Sequence, residues 1–211
     1  MIRGLIKRKY VEIIKNQLPE NGTVLDIGTG VGIPSYQLYH QNKKLKFSGI
    51  DKESKVKLEK IAVSLIGDDP YLEQLYTDRG RLKLYEIYEH VTRTIFNAEP
   101  IDKTNFRNTF GFQFKQDWVQ YLTNQKLKFD LIIMSNILHY GDFTDHNFVF
   151  ERVNSKLNDN GLIYITSPTD SDRNKIFPKQ LEINFKKYFY CLTKISFNRK
   201  EKRITIVGQR K

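Results

Sequence analysis

Nine residues, Val24-Leu25-Asp26-Ile27-Gly28-Thr29-Gly30-Val31-Gly32, constrain this chain more than any other stretch. A short β-rich run, Thr23 to Ile27, leads directly into three glycines at alternate positions, and Pro34 follows where the first turn of a helix can hold it. Gly28 and Gly30 permit positive φ and let a ligand approach the backbone closely, while Gly32 lets the next helix pack near the strand. A strand, a tight turn and a helix in succession form the unit from which parallel sheets are built.

The rest of the chain repeats that alternation. Residues 2–18 read as an amphipathic helix, with Ile6, Tyr10, Ile13, Ile14 and Leu18 at helical spacing, stopped by Pro19 and the Asn21-Gly22 pair. A helix over about 34–42 precedes a second strand, Leu45 to Ile50, and another helix is expected over about 53–66. The aromatic- and charge-rich stretch 68–110 holds one or two helices within 71–96. Further strands are expected at Gly111–Gln116, Phe129–Met134 and Leu162–Thr166, with a short helix at Trp118–Asn124 and a longer one at 144–157. Phe177–Tyr188 reads as a helix, and Phe189–Phe197 with Arg203–Val207 as an antiparallel hairpin. The expected fold is α/β: a doubly wound, mostly parallel seven-stranded sheet with a C-terminal antiparallel hairpin and a helical insertion between strands two and three. All of 1–211 reads as one domain, with 1–20 as its N-terminal helix.

Ligands of such sheets bind beyond the carboxyl ends of the strands, where the strand order reverses. The strand-end residues therefore carry the chemistry. The glycine spacing is G-x-G-x-G; a dinucleotide fingerprint needs G-x-G-x-x-G, and Ile33 occupies its third glycine position. Asp26, just before the first glycine, would repel a pyrophosphate and suits a ligand carrying an ammonium group. Both features count against a nicotinamide oxidoreductase. Asp51 ends strand two, 19 residues after Gly32, where a carboxylate can accept two hydrogen bonds from a ribose diol. A helix cap or a surface acid would account for Asp51 taken alone. Asp117 can accept from an exocyclic amine and Trp118 can cover a purine face, although Trp118 would serve equally as core.

Taken in order, these residues resemble the class I, Rossmann-like, S-adenosylmethionine (SAM)-dependent methyltransferases. That family's first motif, an acid followed by G-x-G-x-G, is matched by Asp26, Gly28, Gly30 and Gly32; its ribose acid by Asp51; its adenine-side acid by Asp117. Phe129 to Tyr140 is similar to its strand-four motif. The resemblance covers roughly 20–66 and 111–166. It implies S-adenosyl-L-methionine as cofactor, leaving as S-adenosyl-L-homocysteine, held by Asp26, Gly28, Thr29, Gly30, Gly32, Asp51, Lys52, Asp117, Trp118, Ser135 and Asn136. His139 is the candidate general base because it follows strand four and an imidazole's unperturbed pKa is near neutral, and Tyr140 could orient an acceptor. The link from Asp51 to Asp117, about 65 residues, is roughly twice what one crossover helix requires. The surplus at 68–110 is expected to cap the acceptor site or to decorate the surface elsewhere.

Acceptor classes narrow further. Ser135-Asn136-Ile137-Leu138 stands where families that methylate adenine or glutamine amines generally carry an N/D-P-P-Y/F tetrad. Cys191 is the only cysteine and sits in an expected late strand, which disfavours covalent attack on a pyrimidine. No residue cluster has metal-ligand spacing. Net charge is +11, and from Arg173 to Lys211 twelve basic residues stand against Glu182 and Glu201. That end can attract nucleic acid or anionic substrates, or simply solvate the surface. A small-molecule acceptor, methylated at oxygen or nitrogen, is the leading expectation; RNA or protein methylation and a non-catalytic SAM-binding module are the alternatives. No apolar run approaches a membrane span and the N-terminus lacks a signal-peptide pattern, so a cytoplasmic enzyme without a membrane partner is expected.

Overall fold

Strand β1 (Thr23–Ile27) lies at the centre of the molecule, hydrogen-bonded in parallel register to β2 (Lys46–Asp51) on one side and β4 (Phe129–Ser135) on the other. The structure is a computed structural model that describes residues 5–59, 74, 83–138, 145–169, 178–193, 195–198 and 203–211. Beyond β2 lies β3 (Phe110–Phe114), also parallel; beyond β4 lies β5 (Leu157–Pro168), parallel again. β8 (Arg203–Arg210) runs antiparallel to β5. Its other edge carries β6 (Phe189–Cys191) and then β7 (Ser196–Asn198), end to end. Across the sheet the order is therefore β3-β2-β1-β4-β5-β8, closed by β6 and β7 together, which makes seven positions from eight segments.

The central strands β1 and β4 are mostly apolar because both of their faces are covered. One face packs against α1 (Arg8–Gln17), α2 (Ile33–Gln41), α3 (Leu84–Thr94) and α4 (Lys103–Thr109), through Tyr10, Ile14, Tyr36, Ile87 and Tyr88. The other packs against α5 (Trp118–Asn124), α6 (His146–Ser155) and α7 (Pro178–Tyr188), through Trp118, Leu122, Phe150, Leu181 and Phe185. At β1 the alternation sorts the layers: Val24 points to the first face, Leu25 and Ile27 to the second.

Several boundaries depart from the sequence expectation. β3 ends at Phe114 because Lys115 adopts φ 58°, turning its N–H onto Glu53 O at 3.2 Å. Asp145 begins α6 by accepting from Asn147 N and Phe148 N, both at 3.1 Å. The expected turn at 158–161 lies inside β5 as a bulge, five steps from Leu157 to Leu162 opposing two from Phe129 to Leu131. The expected strand 189–197 is likewise interrupted, since five steps from Cys191 to Ser196 oppose three from Gly208 to Thr205. Helix α4 carries a single buried residue, Phe106, so no apolar period announced it; Asp102 starts it by accepting from Thr104 N and Asn105 N. In the stretch 68–110, α3 and α4 pack on α2 and β3, with the Tyr36 ring 5.1 Å from Tyr88 and 5.1 Å from Phe110. Of the helices expected at 53–66 and 71–96, residues 55–59, 74 and α3 are helical, while 60–73 and 75–82 lie outside the described residues.

Among the described residues no helix is long and apolar enough to cross a membrane, and no group of His, Cys, Asp and Glu could hold a metal ion.

Candidate functional site

The connection after β1 leads toward β2 on one side and the one after β4 leads toward β5 on the other, so the order of a parallel sheet reverses between β1 and β4. A crevice opens at their carboxyl ends. The three glycines occupy it, all with positive φ: Gly28 at 70°, Gly30 at 55° and Gly32 at 85°. At Gly28 a Cβ would lie 2.3 Å from Ile137 Cγ2, and at Gly32 one would lie 2.6 Å from the Phe112 ring. At Gly30 a Cβ would meet nothing within 4 Å, so this point of the turn faces open space. Gly28 N and Thr29 N both donate to Ile50 O, at 2.8 and 3.0 Å, and Gly32 N donates to Thr29 O at 2.8 Å. The first two amides brace the turn against the tip of β2 and the third closes the turn on itself, so none is turned outward toward a ligand.

Two carboxylates flank the turn. Asp26 is completely buried; its Oδ2 accepts from Thr29 Oγ1 at 3.2 Å and from Ser35 Oγ at 3.0 Å. Its Oδ1 is buried without a hydrogen-bond partner. Burial pushes the Asp26 carboxyl up from 3.8 to about 7, against the two hydroxyls that favour its ionised form. Asp51 is half-buried at the end of β2. Its Oδ2 accepts from Gly30 N at 2.8 Å and its Oδ1 from Glu53 N at 2.8 Å. Desolvation raises its pKa, with those amide bonds opposing. Each Asp51 oxygen accepts one hydrogen bond and retains a second lone pair. The acid of strand two and the glycine turn, separated by 21 residues in sequence, are thus directly bonded.

The tip of β4 completes the crevice. Ser135 is buried, and Asn136 adopts φ 61°, an αL conformation that asparagine tolerates. Asn136 N donates to Thr166 O at 2.6 Å. The Asn136 side-chain oxygen accepts from the Arg203 guanidinium, which also donates to Thr166 Oγ1 at 3.3 Å. Arg203 passes unnoticed in sequence as one of many late basic residues. Because β8 is antiparallel to β5, its first residue pairs with Pro168 at the carboxyl edge of β5, from which its side chain reaches the tip of β4. Ser35, which holds Asp26, was equally unmarked.

Asp26, Gly28, Thr29, Gly30, Gly32, Asp51, Ser135 and Asn136 therefore converge. The hydroxyl of Thr29 is turned inward onto Asp26, and Lys52 is exposed just past Asp51. Gln116 N donates to Asp51 O at 3.0 Å, which brings the approach to Asp117 beside the same crevice. Asp117 itself caps α5, its Oδ1 accepting from Gln120 N at 2.8 Å. Trp118 is turned into the second core, its ring 6.1 Å from Phe148. The candidates His139 and Tyr140 lie outside the described residues.

The residues present fit an adenosyl amino acid: the open space at Gly30 for its backbone approach, Asp51 for a diol, and the unpartnered Asp26 Oδ1 for a donor. The sheet order, the acid–glycine turn and the acid of β2 together define a class I, Rossmann-like SAM-dependent methyltransferase. The family model described as a methyltransferase domain matches residues 2–199, and the chain belongs to that family. Its cofactor is S-adenosylmethionine. Solved structures agree in fold. The N-methyltransferase NodS from Bradyrhizobium japonicum WM9 superposes with a TM-score of 0.55 at 12% identity, covering 97% of this chain and 96% of that one. Magnesium protoporphyrin IX methyltransferase (ChlM) from Synechocystis PCC 6803, with bound SAM, gives 0.56 at 14% identity over 96% of this chain and 77% of that one. A SAM-dependent methyltransferase from Methanosarcina mazei gives 0.53 at 16% identity over 94% and 96%. No curated protein matches the chain significantly.

Proposed function

We propose that this methyltransferase acts on a small-molecule acceptor, at oxygen or nitrogen. The observation that carries the reading is the tip of β4. There Ser135-Asn136-Ile137-Leu138 stands in place of the tetrad of families that methylate adenine or glutamine amines, and Asn136 presents an amide held in place by Arg203 and Thr166. An ordered amide beside the cofactor crevice suits a compact polar acceptor that must be oriented by a few hydrogen bonds. The small-molecule nature of the acceptor named for ChlM, a magnesium protoporphyrin, supports the same class.

In this reading the sulfonium of the cofactor supplies an electrophilic methyl group. Asp51 accepts from the ribose hydroxyls, and the turn at Gly30 lets the adenosyl group lie against the backbone. Asp26 favours the amino-acid end through its charge. Lys52 and Asp117 belong to the adenosine side, and Ser135 with Asn136 to the side of the reacting centre. His139 removes the acceptor proton and Tyr140 orients the acceptor.

The test is methyl transfer from radiolabelled SAM to a panel of small oxygen and nitrogen nucleophiles, with total RNA and unfolded protein as parallel acceptors. Label in small products supports the reading, and label confined to RNA or protein refutes it. The RNA arm matters because Lys179 and Lys187, both exposed on α7, belong to the basic C-terminal region. Binding through that face would weaken steeply with salt.

A further inference from the structure

At the β3 edge of the sheet, β3, α3, α4 and the helical stretch 55–59 line an open cavity of about 500 Å³. None of the residues that converge at the glycine turn lines it. Its floor is aromatic: Phe106 from α4, with Phe112 and Phe114 from β3. Four cations line it, Lys55, Lys83, Lys103 and Arg107, and no acidic side chain is among the described lining residues. All four are exposed at the rim. Lys55 Nζ lies 3.7 Å from Glu59, the i,i+4 partner on its own helix. Lys103 and Arg107 have no ion-pair partner among the described residues, and they stand one helical turn apart on α4, so they share a face.

Like charges gathered around an apolar floor repel one another and are drawn toward an anion. The volume lies within the range of small-molecule sites. Aromatic edges and faces at the floor beside guanidinium and ammonium groups suit a flat ring bearing an oxyanion: the ring packs on the phenylalanines while the rim makes charge-assisted hydrogen bonds.

We propose that this edge cavity is a second ligand site, separate from the methyl-transfer crevice, for an aromatic oxyanion, that is, a ring carrying a phosphate or carboxylate. Phe112 makes it a neighbour of the crevice. The same ring that forms the floor packs against Gly32 and Gly49, where added Cβ atoms would lie 2.6 and 2.5 Å away. Neither the glycine turn nor the acceptor assignment is needed for the site to exist.

Calorimetry of the full chain with 1-naphthyl phosphate tests it, against 1-naphthol and inorganic phosphate as half-ligands. Saturable binding at least about ten-fold tighter than either half-ligand is expected, weakening as salt rises. The variants Lys103→Glu and Arg107→Gln should each weaken it about ten-fold or more while S-adenosylhomocysteine binding stays as in the unaltered protein. Both positions are exposed on α4, and an acid at Lys103 suits the helix N-terminus, so both variants should fold; retained S-adenosylhomocysteine binding verifies it. Absence of saturation, inorganic phosphate binding as tightly as the naphthyl ester, or both variants binding within about two-fold of the unaltered protein overturns the proposal.

Discussion

Replacing Asp26 with asparagine removes a buried carboxyl that carries a large desolvation penalty. The carboxyl is fully buried, one oxygen has no partner, and burial moves its pKa from 3.8 to about 7. The folded value lies above the unfolded one, so the folded chain holds this proton more tightly. Its contribution is intact below pH 3.8 and is lost as the pH rises toward 7. At about 1.4 kcal/mol per pH unit, the loss between pH 5 and pH 8 is about 2.7 kcal/mol, nearly all of it below pH 7. An asparagine at this position cannot ionise, so that slope disappears. Its oxygen can still accept from Thr29 and Ser35, while its NH2 takes the place of the unpartnered oxygen and costs about 1–3 kcal/mol at every pH. The decisive quantity is therefore how the difference between the two proteins changes with pH. For a chain of this length about 1 kcal/mol moves the melting temperature about 2–4 °C. Thermal melts of the cofactor-free proteins at pH 5 and pH 8 should show Asp26→Asn gaining about 5–11 °C on the wild type across that interval. A difference in Tm that is the same at both pH values refutes the reasoning. The same variant should bind S-adenosylhomocysteine more weakly at pH 8, because the charge that draws the ammonium is gone.

Other outcomes follow from the same geometry. Gly28→Ala places a methyl 2.3 Å from Ile137 Cγ2 at φ 70°, and should cost about 2 kcal/mol or more in chemical denaturation; Ile137→Ala in the same chain should recover part of it. Asp51→Asn is not conservative, since both carboxylate oxygens accept backbone N–H groups and one would face an NH2 instead; S-adenosylhomocysteine affinity by calorimetry should fall about ten-fold or more. Arg203→Ala releases Asn136 and should lower kcat/KM about ten-fold while leaving S-adenosylhomocysteine affinity within about three-fold, so an equal loss in both would remove Arg203 from the acceptor side. His139→Ala with an unchanged kcat would remove His139 as the base.

The centre of this protein is legible in its sequence. Asp26, Gly28, Gly30 and Gly32 fall within seven residues, and a strand that must turn sharply into a helix requires glycine where φ is positive. Asp51 is readable because the next strand ends there, and the parallel pairing of β1 with β2 brings that end level with the turn. Those are short-range facts, set by backbone sterics and by the period of a strand. What lies beyond them depends on which surfaces meet. Trp118 follows a strand end, yet α5 turns its ring into the second core, because burying an indole outweighs leaving it at the crevice. The break between β6 and β7 comes from matching two strands of unequal length, which neither strand shows alone. Arg203 is the clearest case: it lies 67 residues from Asn136, and only the antiparallel seat of β8 beside β5 carries its guanidinium to the tip of β4. Local sequence determined the strand, the turn and their acids. Tertiary packing decided which distant side chains stand beside them, since the free energy of burying two faces of a sheet belongs to the whole set of contacts and to no single segment.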